Sequence, residues 1–179
     1  MIAVFLADGF EEIEALAVVD ILRRAELQVV TVGVGGRTVC GSHGIPVAAD
    51  AADSDWRADK LECVVLPGGM PGTLHLEKSP IVQQTVEAAA EKGIYLCAIC
   101  AAPSILGHKG LLRGRRAVCF PGYEQELYGA AVQEAPVVVD GHIITAKGAG
   151  VAIEFALEIV SVLAGDSVAA RLKASMQCQ

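Results

Sequence analysis

Short apolar runs alternate with longer amphipathic ones along most of this chain, and that alternation restricts the fold more than any other feature. Residues 2–7, 28–34, 61–66 and 95–99 are aliphatic stretches of strand length, with the near-continuous hydrophobicity of strands covered on both faces. Between them, residues 13–24 and 81–92 repeat apolar positions at helical spacing, and Ser79-Pro80 opens the second as N-cap and first helical residue. A β-α-β alternation predicts a parallel, doubly wound sheet with right-handed crossovers. Two hairpins interrupt it. Residues 39–40 and 45–47 flank Gly41-Ser42-His43-Gly44, and residues 137–139 and 143–145 flank Asp140-Gly141, the stronger turn signal. After Gly148-Ala149-Gly150 an amphipathic helix runs to Leu163, and a last helix covers residues 166–173.

A chain of 179 residues is one domain on a prior of ~150 residues each, so residues 1–179 read as a single unit. A domain of this size buries roughly 70% of its unfolded surface and needs neither disulfide nor metal to hold it. With 53% hydrophobic and only 4% aromatic residues, its core is aliphatic. The net charge of −7, with close arginines only at Arg23-Arg24 and Arg113 to Arg116, argues against a nucleic-acid partner and against an anionic membrane surface. Asp8, Glu11, Glu12 and Glu14 interrupt the first apolar stretch, and no run reaches the ~18 residues of a membrane span. The opening lacks a basic region and a cleavage site, so a cytoplasmic protein is expected. Thiols stay reduced there. Of the six cysteines, Cys63, Cys97 and Cys119 lie within apolar, strand-like runs and read as core.

In open α/β sheets a ligand site lies beyond the carboxyl ends of the strands, where strand order switches. Three such ends carry unusual residues: Asp8 to Glu14 after the first strand, Pro67-Gly68-Gly69-Met70-Pro71-Gly72 after Leu66, and Cys100-Ala101-Ala102-Pro103 after Ile99. Cys100 has two readings, a nucleophile at a strand-to-helix elbow or a buried structural thiol. The paired glycines serve either close approach of an anion or oxyanion to backbone N–H groups or a tight strand exit. No Lys-Ser/Thr follows them, so they are not a P-loop, and Thr38 spoils any dinucleotide fingerprint at Gly33-Val34-Gly35-Gly36. Cys97 and Cys100 form a C-x-x-C, but Cys97 lies mid-strand, and positions three apart on a strand face opposite sides. No second C-x-x-C or paired histidine signals zinc, so no metal is expected. Glu11 and Glu12 suit a helix N-terminus. Glu14 precedes Ala15-Leu16-Ala17-Val18 and is expected to point inward. His108 and His142 read as loop residues and His75 as part of a polar segment. His43, at a hairpin tip, is the histidine placed to reach a site, one on a partner subunit.

Taken together, Gly9-Phe10-Glu11-Glu12-Ile13-Glu14-Ala15, Val65-Leu66-Pro67-Gly68-Gly69 and Ala98-Ile99-Cys100-Ala101-Ala102-Pro103 resemble the ThiJ/PfpI superfamily, and within it the DJ-one branch. The likeness extends to Thr145-Ala146-Lys147-Gly148-Ala149-Gly150. It implies a flavodoxin-like three-layer sandwich, with an added β-hairpin and a homodimeric assembly. It also implies Cys100 as the reactive cysteine, Glu14 as the glutamate hydrogen-bonded to its sulfur, and Gly68, Gly69 and the Ala101 amide as the backbone pocket. Two departures matter. The proteolytic branch follows its cysteine with histidine, whereas Ala101 stands here, which argues against a peptidase. Much of the DJ-one branch has a histidine near the cysteine, whereas this chain reads Cys119-Phe120-Pro121-Gly122-Tyr123-Glu124.

The function implied is cysteine-dependent handling of reactive carbonyls, of glyoxalase III or deglycase type, on a small carbonyl substrate and without a cofactor. The other class is a non-enzymatic oxidative-stress sensor or redox-regulated chaperone acting through oxidation of Cys100. Either way a depressed Cys100 pKa is expected, with helix N–H groups and a protonated Glu14 outweighing burial.

Overall fold

The computed structural model describes residues 1–178. In chain order the elements are β1 (Ile2–Leu6), α1 (Glu12–Arg24), β2 (Val29–Gly33), β3 (Thr38–Cys40), β4 (Pro46–Ala48), β5 (Ala51–Ala52), β6 (Cys63–Leu66), α2 (Gly72–Lys78), α3 (Pro80–Glu91), β7 (Tyr95–Ile99), α4 (Pro103–His108), β8 (Arg116–Ala117), β9 (Ala131–Val132), β10 (Val137–Asp140), β11 (Ile143–Ala146), α5 (Ala152–Ala164) and α6 (Asp166–Ser175). Seven strands form the main sheet in the order β10-β11-β7-β6-β1-β2-β5. Only β10 runs antiparallel, as the outer strand of the Asp140-Gly141 hairpin. The β3–β4 hairpin stands apart as its own two-stranded sheet.

Side-chain alternation on the strands builds the layers. Ile2, Val4 and Leu6 face Val18, Leu22, Phe155 and Ile159 of α1 and α5, with Leu172 of α6 at the margin. Ala3, Phe5 and Ala7 face the opposite way, into Leu76, Val82, Val86, Ile105 and Leu106 of α2, α3 and α4. The result is the three-layer sandwich. Full burial of a side chain such as Phe5 or Phe155 contributes about 1.5–3 kcal/mol. No helix among the described residues is long and apolar enough to cross a membrane.

The long elements stand within a residue or two of where the periodicity predicts them. The differences are short elements. His75 belongs to α2, a seven-residue helix within the segment read as polar, and His108 is the last residue of α4, not a loop residue. Cys119 is buried as expected but follows β8 rather than lying in a strand. Ser79 is the N-cap of α3, with Pro80 as first helical residue, although its side chain makes no capping bond.

Candidate active site

From β1 the chain winds through β2 to β5 on one side and through β6 and β7 to β11 on the other. The connections leaving β1 and β6 therefore diverge, and a crevice opens between their carboxyl ends. The loops after β1, β6 and β7 meet there. Glu11 N–H donates to the Gly68 carbonyl (2.9 Å), and Gly72 N–H to that of Gly9 (3.2 Å).

Cys100 follows the last residue of β7 with φ at +64°, a left-handed conformation that costs a non-glycine residue on the order of 1–2 kcal/mol. Its neighbours over-determine it. Its N–H donates to the Ala146 carbonyl (2.9 Å), and its carbonyl accepts from Phe120 N–H (2.8 Å). This is the elbow expected from sequence, and the residue is half-buried.

Glu14, in the first turn of α1, is 1% exposed. Its Oε2 accepts from Gly68 N–H (2.8 Å), while Oε1 is buried without a conventional partner. The group left facing the carboxyl is the Cys100 thiol. Gly68 explains how the two approach. A Cβ there would stand 2.6 Å from Cys100 Cβ and 2.7 Å from Glu14 Oε2, so only glycine leaves the space open.

The backbone pocket differs from expectation in one respect. Gly68 lines it, but its N–H is engaged by Glu14, so the amides that face the sulfur are those of Gly69 and Ala101. Gly69 holds its position at φ +88°, with its backbone against Glu11.

Burial pushes the Glu14 carboxyl up to about 7, with the charge of Glu11 adding to it and the thiol and the Gly68 amide opposing. Burial likewise pushes the Cys100 thiol up to about 12, reinforced by the Glu14 carboxylate; the Ala101 and Gly69 amides pull it back only in part. The expected depressed thiol pKa is therefore corrected. Helix α4 has six residues, so its dipole is small, and a carboxylate beside a thiol opposes a second negative charge. Burial thus favours the protonated form of both groups.

Cys97 does not pair with Cys100. Its sulfur lies 3.4 Å from that of Cys63, on the neighbouring strand, and both are buried in the α1–α5 side of the core. Burial, then Cys63, pushes the Cys97 thiol well up. Cys40, in the β3–β4 hairpin, is exposed.

His43 sits at the tip of that hairpin and reaches its own chain. Its ring Nδ1 is 2.8 Å from Glu12 Oε2 and 3.7 Å from Glu11 Oε1, and its N–H donates to Glu12 Oε1 (2.8 Å). The hairpin docks through Ser42 N–H on the Phe10 carbonyl (2.8 Å) and leaves Glu12 only 5% exposed. Sequence reasoning gave Glu12 only a helix-dipole role; the glycines at 41 and 44 were the one hint of a turn tight enough to close on it. Among the described residues, Glu11, Glu12 and His43 are the set whose possible metal-ligand atoms lie within 4.8 Å of one another.

Known proteins share this arrangement of elements. Protein dj-1beta of Drosophila melanogaster is 36% identical over 165 residues, covering 90% of this chain and 88% of its own. The glutathione-independent glyoxalase DJR-1.2 of Caenorhabditis elegans is 32% identical over 157 residues, 87% of this chain and 83% of its own. The crystal structure of a cysteine-to-alanine mutant of a DJ-1 superfamily protein from Salmonella typhimurium has a TM-score of 0.93 at 38% identity, over 98% of this chain and 97% of that one. The family model for DJ-1/PfpI matches residues 1–162, from β1 through both sides of the crevice and into α5. Fold and sequence agree over that span, and the chain belongs to the DJ-1/PfpI family.

Proposed function

We propose that this chain converts small 2-oxoaldehydes, or the adducts they leave on amines and thiols, to hydroxy acids without a cofactor. Cys100 is the nucleophile and Glu14 the proton carrier. The observation that carries the reading is a buried, singly hydrogen-bonded carboxyl facing the thiol of a half-buried cysteine with a left-handed backbone. The relative named as a glutathione-independent glyoxalase supports the reaction class.

In the proposed sequence the sulfur adds to the aldehyde carbon while the thiol proton passes to the Glu14 carboxylate. The Gly69 and Ala101 amides are the donors nearest the new alkoxide, which takes the proton back from Glu14. Glu14 then removes the proton on the former aldehyde carbon and delivers it to the adjacent carbonyl carbon, while the hydroxyl proton passes from the first oxygen to the second, leaving a thioester of the 2-hydroxy acid. The first carbon is oxidised by two electrons as the second is reduced by two, so no outside oxidant is required. Water cleaves the resulting thioester, releasing the 2-hydroxy acid and the thiol. Glu14 acts alone because the histidine rings lie elsewhere: His43 on Glu12, His75 on the Asp8 carbonyl, His108 between Glu77 and Glu126, and His142 beside Tyr95.

Purified protein given methylglyoxal without glutathione should form lactate. Cys100→Ala should abolish that activity and Cys97→Ala should retain it. Absence of lactate from the wild-type protein would overturn the enzyme reading. The alternative reading, an oxidation sensor acting through Cys100, rests on the missing imidazole at Phe120; a Toxoplasma gondii DJ-1 structure, 33% identical, is of an oxidized form.

A further inference from the structure

An apolar cavity of about 370 Å³ opens beside the elbow, lined by Phe120, Pro121, Lys147, Gly148, Ala149, Gly150 and Val151. Lys147 is the one charged side chain in that lining, and Phe120 stays 47% exposed although it is large and apolar. The cavity and the thiol meet at Gly148. A Cβ on that residue would stand 3.3 Å from Phe120 Cδ2 and 4.0 Å from Cys100 Sγ. Gly148 has extended backbone (φ 162°), which any residue adopts, so it is the space and not the conformation that a side chain would spoil.

The Phe120 N–H bond to the Cys100 carbonyl sets the Phe120 backbone beside the thiol, and its ring edge lies against Gly148, the residue that also borders the sulfur. We propose that this cavity receives the organic substituent of the carbonyl compound attacked by Cys100, and that Phe120 makes the site favour aryl or bulky apolar substituents over methyl. The proposal rests on Cys100 as the attacking thiol. An enclosed apolar cavity of about 150 Å³ takes up benzene, so the space here accommodates a phenyl ring. Offset or edge-on stacking against Phe120 is the specific attraction that a methyl group cannot supply.

Alkylation of Cys100 reads the pocket without requiring turnover. Second-order labelling rates would be measured with iodoacetamide and with N-benzyl iodoacetamide, on the wild-type protein, Phe120→Ala, Phe120→Leu and Gly148→Ala, with N-acetylcysteine as the free-thiol reference. The benzyl-to-unsubstituted rate ratio should exceed that of N-acetylcysteine. It should fall by about twofold to tenfold in Phe120→Ala, by less in Phe120→Leu, and again in Gly148→Ala, whose methyl fills the junction. A wild-type ratio equal to that of the free thiol, or one unmoved by both Phe120→Ala and Gly148→Ala, overturns the proposal. So does a Cys100 that neither reagent labels. A protein that shows the benzyl preference but forms no hydroxy acid leaves the pocket standing and overturns the carbonyl-enzyme reading instead. Where turnover is present, the ratio of kcat/KM for phenylglyoxal over methylglyoxal should follow the same order across the variants.

Discussion

Glu12 and Glu14 lie two residues apart in the first turn of α1, and both are almost wholly buried, yet their carboxyls move in opposite directions. For Glu12 burial alone would raise the pKa, but the His43 ring and backbone N–H groups, including those of His43 and Ile45, hold it at about 2. Glu14 has one amide and one thiol, and burial carries it to about 7. Depth and donors act together: Glu12 lies near the surface beneath the hairpin with several donors and is a fixed anion, whereas Glu14 lies deeper with fewer and holds an exchangeable proton. One turn of helix thus carries both a structural clamp for a hairpin and the carboxyl proposed as proton carrier.

The largest effect that tests this contrast is catalytic. Glu14→Gln keeps the volume and a group able to accept from Gly68 but removes the transferable proton, so carbonyl turnover should drop by about 10²–10⁴-fold. Glu12→Gln should leave turnover within a few-fold of the wild type. Labelling of Cys100 should rise as pH passes through about 7, where Glu14 becomes the carboxylate that accepts the thiol proton. In Glu14→Gln that step should vanish, leaving only the rise toward the thiol's own high range. An unchanged pH profile would mean that the two groups are not coupled.

The next effect is on stability, and its sign is the reverse of the usual carboxylate. The folded-state pKa of Glu14 is raised from 4.5 to about 7, so the native state binds the proton more tightly than the unfolded chain. Its favourable contribution is complete below pH 4.5 and is lost as pH rises through about 7. The shift corresponds to about 3 kcal/mol. Glu14→Gln should therefore be more stable than the wild type at pH 8 by up to that amount, and no more stable below pH 4.5. Urea unfolding at the two pH values measures it. A Glu14→Gln protein less stable at pH 8 would show that further donors hold the native carboxylate.

Much of this architecture was legible in the sequence because it follows from periodicity. The aliphatic runs ending at Ala7, Leu66 and Ile99, with special residues just after them, place three loops at the carboxyl end of the sheet. The direction of the Cys100 shift was not legible. It depends on whether Gly68 N–H points at sulfur or at Glu14, and on the six-residue length of α4, neither of which is a property of local pattern. The docking of Ser42-His43 on Glu12 was likewise hidden, since it joins residues about thirty positions apart through loops. Glu14 was found because an apolar stretch follows it; Glu12 stands between Glu11 and Ile13 with Glu14 beyond, and no apolar stretch follows it directly.

A smaller effect concerns the cysteines behind the site. Cys63 and Cys97 are buried with their sulfurs 3.4 Å apart. Replacing either with serine puts a hydroxyl in apolar surroundings, at a cost of roughly 1–3 kcal/mol. The labelling profile of Cys100 should not change. Rapid labelling of Cys63 or Cys97 in native protein would contradict their place in the core and remove the distinction between them and the elbow thiol.

The smallest effect sharpens the contrast from the Glu12 side. In His43→Ala the ring donor is lost, but the backbone N–H of residue 43 still reaches Glu12 Oε1, so the Glu12 pKa should climb only partway from about 2 toward 4.5. That of Glu14 should stay near 7. Carboxyl carbon shifts followed by NMR titration would resolve both in one experiment. The pH dependence of stability follows from two opposite signs. Glu12 is depressed, so its contribution is present above 4.5 and fades as pH falls through about 2. His43 is raised from 6.5, chiefly by its bond to Glu12, so its contribution is complete below 6.5 and fades as pH rises through the higher folded value. The ion pair is therefore strongest between about pH 4.5 and 6.5, and His43→Ala should be most destabilising in that window and less so on either side. Because the ring is solvent-exposed, added salt should shrink the difference. A Glu12 pKa that does not move in His43→Ala would place the whole burden on the backbone donors and show that the imidazole does not hold the carboxylate.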